Sequence, residues 1–194
     1  MVDGLVGSEM CIRDSYIPHP MPHQPIAASE MFLGKSELGL YGDVIMEIDW
    51  SVGEIIRSLK ENDIDDNTLI IYASDNGPWL NFGKHAGSTG GLREGKGTSF
   101  EGGQRVPTVM MWPDVIPAGK IANQLSSAID ILPTVSHIVD GNLPKHKIDG
   151  INILEILKGE KVNPRKEFYY YYGNNNLEAV RKDNWKLILP HTSR

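Results

Sequence analysis

A regular spacing of apolar residues predicts one long helix in the first third of the chain. From Leu40 to Leu59 apolar side chains recur at an interval of about 3.6 residues, with charged residues between them. This period places the apolar residues on one stripe of a helix and the charged residues on the other face. The pattern ends near Asn62. We therefore predict an amphipathic helix over residues 40–59.

Two shorter apolar runs predict strands. The run TLIIYAS, at residues 68–74, is rich in β-branched and apolar residues and stops at the polar sequence DNGP. It is typical of a buried parallel strand. VPTVMMWP, at residues 106–113, predicts a second strand. A helix, a strand and a polar tip in succession indicate an α/β fold.

The last third of the chain changes character. SAIDILPTVSHIVDG predicts a turn and then a helix that Gly141 closes, with His137 buried in the core of the domain. INILEILKG predicts a short helix. EFYYYYGNN is strand-like, and EAVRKDNWKLIL predicts a hairpin around residues 182–184. The aromatic strand and the hairpin are typical of the start of a small antiparallel subdomain.

A loop with eight glycines separates the two predicted strands, over residues 83–103. Lys96 lies in it, among backbone N–H groups with little side-chain crowding, where its ammonium would suit a tetrahedral anion. The alternative is an ordinary solvated lysine. The residues from Gly90 to Lys96 match G-x-x-x-x-G-K, but Gly97 stands where a phosphate loop has its magnesium-binding Ser or Thr. We therefore disfavour a nucleotide site.

Asp75 and Asn76 follow the first predicted strand directly. Open α/β sheets bind ligands at the carboxyl ends of their strands. The side-chain oxygens of both residues suit a hard cation such as calcium, although further ligands would have to come from elsewhere. The alternative is that Asp-Asn-Gly-Pro is only a turn.

The histidines allow fewer conclusions. His19 and His23 have the spacing of a helical zinc pair, but four prolines over residues 16–29 exclude that helix and predict an extended loop. His23 and His85 are therefore each either a functional hydrogen-bonding group or an exposed loop side chain.

Composition narrows the class of protein. The chain has 194 residues, a net charge of -6 and no basic block, which disfavours nucleic acid as a partner. No apolar run approaches the length of a membrane span, so none is predicted. Cys11 is the only cysteine, which leaves no internal disulfide and no Cys-based zinc site.

Five motifs in order resemble the arylsulfatase family, the formylglycine-dependent sulfatases of the alkaline-phosphatase-like superfamily. They are PHPMPHQP, YGDVIMEIDWSVGEIIRSLKE, LIIYASDNGP, LREGKGTSFEGGQRVP and SSAIDILPT. The resemblance implies part of a large mixed-sheet α/β sandwich, with residues 16–163 in the catalytic domain and residues 164–194 at the start of a truncated C-terminal subdomain. It implies a sulfuric ester hydrolase acting on sulfated small molecules or sulfated glycans, with a periplasmic or secreted location.

The same resemblance assigns roles to residues. Asp75 and Asn76 correspond to two ligands of the family's calcium ion, whose other two ligands are aspartates near the N-terminus of such enzymes. Lys96 corresponds to a residue that binds the sulfate, and His23 to one that contacts the sulfate and the bridging ester oxygen. His85 and Arg93 lie where such enzymes often meet their substrate.

Cys11 does not fit the family's nucleophile. In these enzymes the formylglycine is made from the cysteine of C-x-P-x-R or C-x-A-x-R, whereas Arg13 and Ser15 stand at the two defining positions after Cys11. We therefore predict that this chain holds no nucleophile, that the formylglycine belongs to a missing N-terminal half, and that the fragment alone is inactive.

Residues 1–15 have an unusual origin by this interpretation. VGSEMCIRD is the translation of GTG GGC TCG GAG ATG TGT ATA AGA GAC, which resembles the end of a transposase-type sequencing adapter. We predict that this segment is adapter-derived and fused to a sulfatase fragment.

Two other functions remain open from the sequence. One is a phosphodiester or phosphonate hydrolase of the same superfamily, which would carry a Thr or Ser nucleophile and two metal ions. The other is a non-catalytic, sulfatase-like binding protein, which would lack Cys or Ser at the nucleophile position.

Overall fold

The structure is a computed structural model that describes residues 14–192. Cys11 and nearly all of the segment predicted to be adapter-derived lie outside the described residues. The chain divides into two compact units, one ending at Ile55 and the other beginning at Ile56. Each is described by itself.

The first unit is built around residues 40–55 of a long helix, α1 (Leu40–Glu61), which confirms the helix predicted from periodicity. Val44 and Ile48, one turn apart, are buried on the same face of α1, and Ile26 and Phe32 are also buried in this unit. Residues 16–29 contain no helix, which agrees with their four prolines, and the chain turns over residues 21–25.

Asp43, in the first turn of α1, ties the preceding loop to the helix. Its carboxylate accepts backbone N–H groups from Ser36 at 2.7 Å and Gly34 at 2.9 Å. These hydrogen bonds, first from Ser36 and then from Gly34, lower the pKa of Asp43 because they favour its charged form.

In the second unit, β1 (Ile70–Ala73) and β2 (Thr108–Met111) form a two-stranded sheet. They pair antiparallel, with Ile70 opposite Met111 and Ala73 opposite Thr108. Both predicted strands exist, but the prediction that the first is a buried parallel strand was wrong. β1 is only half-buried, and a parallel pair would need a crossover connection, usually a long helix, which residues 74–107 do not contain.

Short helices occupy much of the rest of this unit. The turn and helix predicted before Gly141 are confirmed as a 3₁₀ turn at Ala128–Asp130 and a helix at Ile131–Ile138. Gly141 N donates to Ser136 O at 2.7 Å just beyond the end of this helix. His137 is exposed rather than in the core. The helical segments are a 3₁₀ helix (Leu80–His85), α2 (Glu101–Gln104), a 3₁₀ turn (Ala128–Asp130), α3 (Ile131–Ile138) and α4 (Leu154–Leu157).

A three-stranded antiparallel sheet confirms the strand and hairpin predicted near the end of the chain. Its strands are β3 (Glu167–Tyr172), β4 (Asn176–Lys182) and β5 (Trp185–Ile188), in that spatial order. Tyr170 is buried while Tyr169 and Tyr171 are exposed, so the tyrosines alternate between the two faces.

The carboxylate of Asp130 fastens three segments of this unit together. It is fully buried, accepts the N–H of Ser127 at 2.8 Å and that of Ile151 at 2.9 Å, and pairs with the guanidinium of Arg165. A buried carboxylate needs such partners to offset its desolvation.

Over the described range, 14–192, no helix combines the length and the apolar character that crossing a bilayer requires.

Candidate functional site

Backbone hydrogen bonds join the end of β1 to the glycine-rich loop. Gly77 N donates to Gly103 O at 3.0 Å, and Lys96 N donates to Pro78 O at 2.8 Å. The structure therefore brings the Asp75–Asn76 segment and the Lys96 segment side by side, although the sequence places them 20 residues apart.

Glycine is required where these two segments touch. A Cβ on Gly77 would lie 1.8 Å from the carbonyl oxygen of Gly102, and one on Gly95 would lie 2.4 Å from that of Pro78. These distances are shorter than any van der Waals contact, and the obstructing atoms are backbone atoms. The high glycine content of the loop thus permits close backbone approach at the strand end.

Lys96 is half-buried and stands beside an aromatic pair. Its Nζ lies 5.3 Å from the centroid of the Trp79 ring, within the range of a cation–π interaction. The Trp79 and Phe82 rings meet edge to face, with centroids 4.8 Å apart. Sequence reasoning missed Trp79, whose only signal was its position two residues after Gly77 at the end of a strand.

Asp75 and Asn76 present oxygen atoms at the strand end. Among residues 14–192 the exposed carboxylate of Asp75 has no hydrogen bond or ion pair. The Asn76 amide donates from Nδ2 to Gly77 O at 3.2 Å, which leaves its Oδ1 as an acceptor. Ser74 Oγ holds the turn by donating to Asn76 O at 2.9 Å.

These oxygens fit a hard cation in kind but not in number. Calcium takes six to eight oxygen ligands, and two side chains provide only part of that set. Within the described part of the chain, no three His, Cys, Asp or Glu side chains come together as a metal-binding group. Asp75 and Asn76 can therefore supply part of a calcium site, and the other ligands must come from outside this group.

Arg93 lies in the same loop as Lys96. Its guanidinium stacks over the Phe100 ring at 4.1 Å from the centroid, and its carbonyl oxygen accepts the N–H of Gly102 at 2.8 Å. His85 is exposed and ends the 3₁₀ helix Leu80–His85, which begins directly after Trp79. Both residues belong to the glycine-rich loop, residues 83–103, that also carries Lys96.

His23 belongs to the first unit. It is exposed, and its Nδ1 lies 2.8 Å from the carbonyl oxygen of Gln24. If Nδ1 carries the proton and donates to that carbonyl, Nε2 is the nitrogen that remains for another partner. His19 is held differently, since its Nε2 lies 3.1 Å from Ser51 Oγ.

Side-chain contacts anchor the Lys96 loop to the C-terminal three-stranded sheet. Ser99 Oγ donates to Glu178 Oε2 at 2.8 Å, and both residues are buried. Glu101 pairs with Arg181 at 3.2 Å and with Lys186 at 2.8 Å. Each of these contacts joins residues at least 79 positions apart, so local sequence patterns could not reveal them.

Burial shifts the pKa values of two groups in this anchor, Lys186 and Tyr170. Lys186 Nζ lies 3.7 Å from the centroid of the Tyr170 ring. Desolvation lowers the pKa of Lys186, although its contact with Glu101 opposes the shift. Desolvation also raises the pKa of the Tyr170 hydroxyl, with the Glu101 charge acting in the same direction. The anchor is therefore partly shielded from water.

Comparison with known proteins shows the family to which the chain is related. Residues 15–141 match the family described as Sulfatase, and residues 95–191 match the one described as N-sulphoglucosamine sulphohydrolase, C-terminal. Human arylsulfatase D is 35% identical over 177 residues, an alignment that covers 85% of this chain and 30% of the relative.

Solved structures share the fold. The PsFucS1 sulfatase from Pseudoalteromonas sp. matches with a TM-score of 0.79 and 30% identity, over 86% of this chain and 34% of that chain. The structure of BT4656 in complex with its substrate D-glucosamine-2-N,6-O-disulfate matches with a TM-score of 0.57 and 27% identity, over 77% and 30%.

The chain therefore belongs to the sulfatase family, and its mixed α/β fold is that of the corresponding part of sulfatase structures. It spans about 30% of the length of the curated relatives that it matches. The resemblance that the five sequence motifs indicate is thereby confirmed.

Proposed function

We propose that this chain supplies the sulfate-binding lysine and two calcium ligands of a sulfatase, an enzyme that hydrolyses sulfuric esters. The observation that carries the proposal is the hydrogen bond from Lys96 N to Pro78 O, which holds the Lys96 loop against the strand end that bears Asp75 and Asn76. In a sulfatase, a cation-binding pair and an anion-binding lysine are needed in this neighbourhood.

Lys96 has the properties that a sulfate-binding group needs. A sulfate monoester carries one negative charge, and further charge develops on the bridging oxygen as the ester bond breaks. A half-buried ammonium beside an aromatic ring stabilises that charge more than a fully solvated one, because less water screens it. Lys96 would therefore bind the substrate and favour departure of the alcohol.

Asp75 and Asn76 would hold calcium through the Asp75 carboxylate and the Asn76 Oδ1. A bound divalent cation polarises a sulfate oxygen and neutralises developing charge. This chain would hold the two ligands at the end of β1, where hydrogen bonds of Ser74 Oγ and of the Asn76 amide constrain the turn.

The remaining assignments are proposals of the same kind. His23 would contact the sulfate and the bridging oxygen, and its contact with the Gln24 carbonyl fixes the ring orientation. His85 and Arg93 would meet the rest of the substrate, a sulfated small molecule or a sulfated glycan. The structural neighbour BT4656 has D-glucosamine-2-N,6-O-disulfate as its substrate, which supports a sulfated glycan as the substrate here.

We further propose that the chain as given does not catalyse turnover. Its only cysteine, Cys11, lacks the C-x-P-x-R or C-x-A-x-R context, so no formylglycine would form. The family match begins at residue 15, which supports an adapter-derived origin of the residues before it. Fresh sequencing of the locus tests this origin, and a native gene that encodes VGSEMCIRD before Tyr16 would contradict it.

The domain division is also a proposal. The three-stranded sheet begins at Glu167, which supports a boundary between residues 16–163 of the catalytic domain and a C-terminal subdomain that begins at residue 164.

Titration of the chain with inorganic sulfate at constant ionic strength tests the sulfate site. We expect the backbone amide signals of residues 95–97 to shift in NMR spectra, and Lys96→Met to weaken the affinity by tenfold or more, because one charge-assisted contact is worth about 1.5–3 kcal/mol. Lys84→Met, which removes an exposed lysine of the neighbouring 3₁₀ helix, is the matched control. Equal sulfate affinity of the Lys96→Met and Lys84→Met variants would contradict the proposal.

A further inference from the structure

An exposed aromatic pair lies next to the proposed sulfate-binding lysine. Trp79 and Phe82 are each 42% exposed, and their rings meet edge to face. An exposed tryptophan has a large apolar surface in water, which is a common feature of ligand-binding surfaces.

We propose that Trp79 is a substrate-contacting residue that stacks on the ring to which the sulfate is attached. The site would then select sulfate esters of six-membered rings, whether sugar or aryl, over sulfate esters of open-chain alcohols. This inference rests on the proposed function, since it takes Lys96 as the group that binds the sulfate.

The distance between the two residues suits one ligand that touches both. Lys96 Nζ lies 5.3 Å from the centroid of the Trp79 ring. In a sulfate ester of a ring, only the bridging oxygen separates the sulfur from a ring carbon. A sulfate held at Lys96 therefore brings its ring within reach of the Trp79 surface, whereas a small open-chain alcohol offers no flat face to cover it.

Trp79 is held in place rather than left free to move. Pro78, directly before it, accepts the hydrogen bond from Lys96 N at 2.8 Å, so the two residues are linked through the backbone. Phe82 supports the indole from one side. Gly95 packs closely on Leu80, since a Cβ on Gly95 would lie 2.9 Å from the Leu80 Cγ. A preorganised platform loses little entropy when a ring binds to it.

The charges near the platform also match this class of ligand. Lys96 provides the positive charge that a sulfate requires, and the apolar indole face suits the C–H face of a sugar or the face of an aryl ring. Trp185, by contrast, is 83% exposed on β5 and has no cationic side chain stacked on its ring among the described residues, so it serves as a control tryptophan.

The test compares four probes on the full chain by NMR titration at fixed ionic strength. The probes are inorganic sulfate, ethyl sulfate, phenyl sulfate and glucosamine 6-sulfate. For the wild-type chain we expect one or both ring-borne esters to bind about three- to tenfold more tightly than ethyl sulfate, the range expected for one stacking contact. The indole N–H signal of Trp79 should shift with the ring-borne esters only.

Variants separate this inference from the proposed function. Trp79→Ala should abolish the preference for the ring-borne ester, measured within that variant as the ratio of its affinities for the ring-borne ester and for ethyl sulfate. Trp79→Phe should retain part of the preference, and Trp185→Ala all of it. Wild-type binding without a ring preference, or a preference that survives Trp79→Ala, would overturn the inference while leaving the sulfate site intact. If Lys96→Met binds all four probes as the wild type does, the proposed function fails instead.

The two ring-borne probes show whether the preferred ring is an aryl group or a sugar. A preference for phenyl sulfate alone assigns an aryl ester, and one for glucosamine 6-sulfate alone assigns a sugar ester. Each result supports the role of Trp79 when Trp79→Ala abolishes it.

Discussion

Ser99 Oγ donates a hydrogen bond of 2.8 Å to Glu178 Oε2, and this bond joins the Lys96 loop to strand β4. Ser99 is fully buried and Glu178 is 2% exposed. A buried carboxylate is costly unless polar groups satisfy it, so the Ser99 hydroxyl offsets part of the desolvation cost of Glu178.

The Ser99→Ala variant should therefore be destabilised. Removing the hydroxyl takes a hydrogen-bond donor from the buried Glu178 carboxylate, which costs about 1–3 kcal/mol of the free energy of unfolding. Chemical denaturation of the variant and the wild-type chain measures this difference. Ser126→Ala, which alters an exposed serine of the same unit, should change the free energy by less than about 0.5 kcal/mol. Equal losses in the two variants would show that the Ser99–Glu178 bond contributes nothing specific.

Asp43 should make the stability of the first unit depend on acid. Backbone hydrogen bonds from Ser36 and Gly34 hold the pKa of Asp43 below its unfolded value, so its contribution is present above the unfolded pKa and is lost as the pH falls through the folded pKa. We expect the wild-type free energy of unfolding to fall below about pH 4. Asp43→Asn should lower it at neutral pH and flatten the acid decline.

The matched control for Asp43 is Asp49→Asn, which alters an exposed carboxylate on the same helix. Denaturation curves between pH 2 and pH 7 for the three proteins give the comparison. A decline of the same slope in the wild-type and Asp43→Asn proteins would contradict the assignment.

Gly77→Ala should separate the strand end from the Lys96 loop. The new Cβ would lie 1.8 Å from Gly102 O, and only a backbone shift can relieve that contact. We expect a loss of roughly 1–3 kcal/mol in the free energy of unfolding, and a weaker affinity for sulfate. Gly53→Ala, in the middle of α1 with open space around it, should instead stabilise the chain by about 0.5–1 kcal/mol. A Gly77→Ala protein with wild-type stability and sulfate affinity would show that the close approach has no role.

Calcium titration examines Asp75 and Asn76. Because two side chains are only part of a calcium set, we expect binding no tighter than roughly 10⁻³ M, with shifts confined to the amide signals of residues 74–77. Asp75→Asn should abolish these shifts, whereas Asp114→Asn, at another exposed aspartate, should not. Shifts that persist in Asp75→Asn would remove Asp75 from the proposed ligands.

The sequence predicted those elements whose own residues specify them. The 3.6-residue period of α1 arises from burial of one face, and the aromatic residues of β3 favour a strand by their own propensity. The direction of β1 was not predictable in this way, because a run of four apolar residues does not encode its partner. Its antiparallel pairing with β2 depends on the course of the chain between them.

In the candidate site too, residues in short motifs could be predicted and residues defined by long-range contacts could not. Asp75, Asn76 and Lys96 belong to short motifs, so a resemblance could identify them. Trp79 follows such a motif but is distinguished only by its approach to Lys96 in three dimensions. The Ser99–Glu178 bond spans 79 residues and leaves no local pattern at all.

One measurement tests the central claim, that this chain binds a sulfate ester through Lys96 but cannot hydrolyse it. The chain is mixed with 4-nitrophenyl sulfate, and binding by NMR and release of 4-nitrophenol by absorbance are followed in the same sample, for the wild type and for Lys96→Met. We predict binding that depends on Lys96 and no release of 4-nitrophenol above the rate without protein. Release by the wild-type chain that Lys96→Met abolishes, or binding of equal strength in both proteins, would contradict the account.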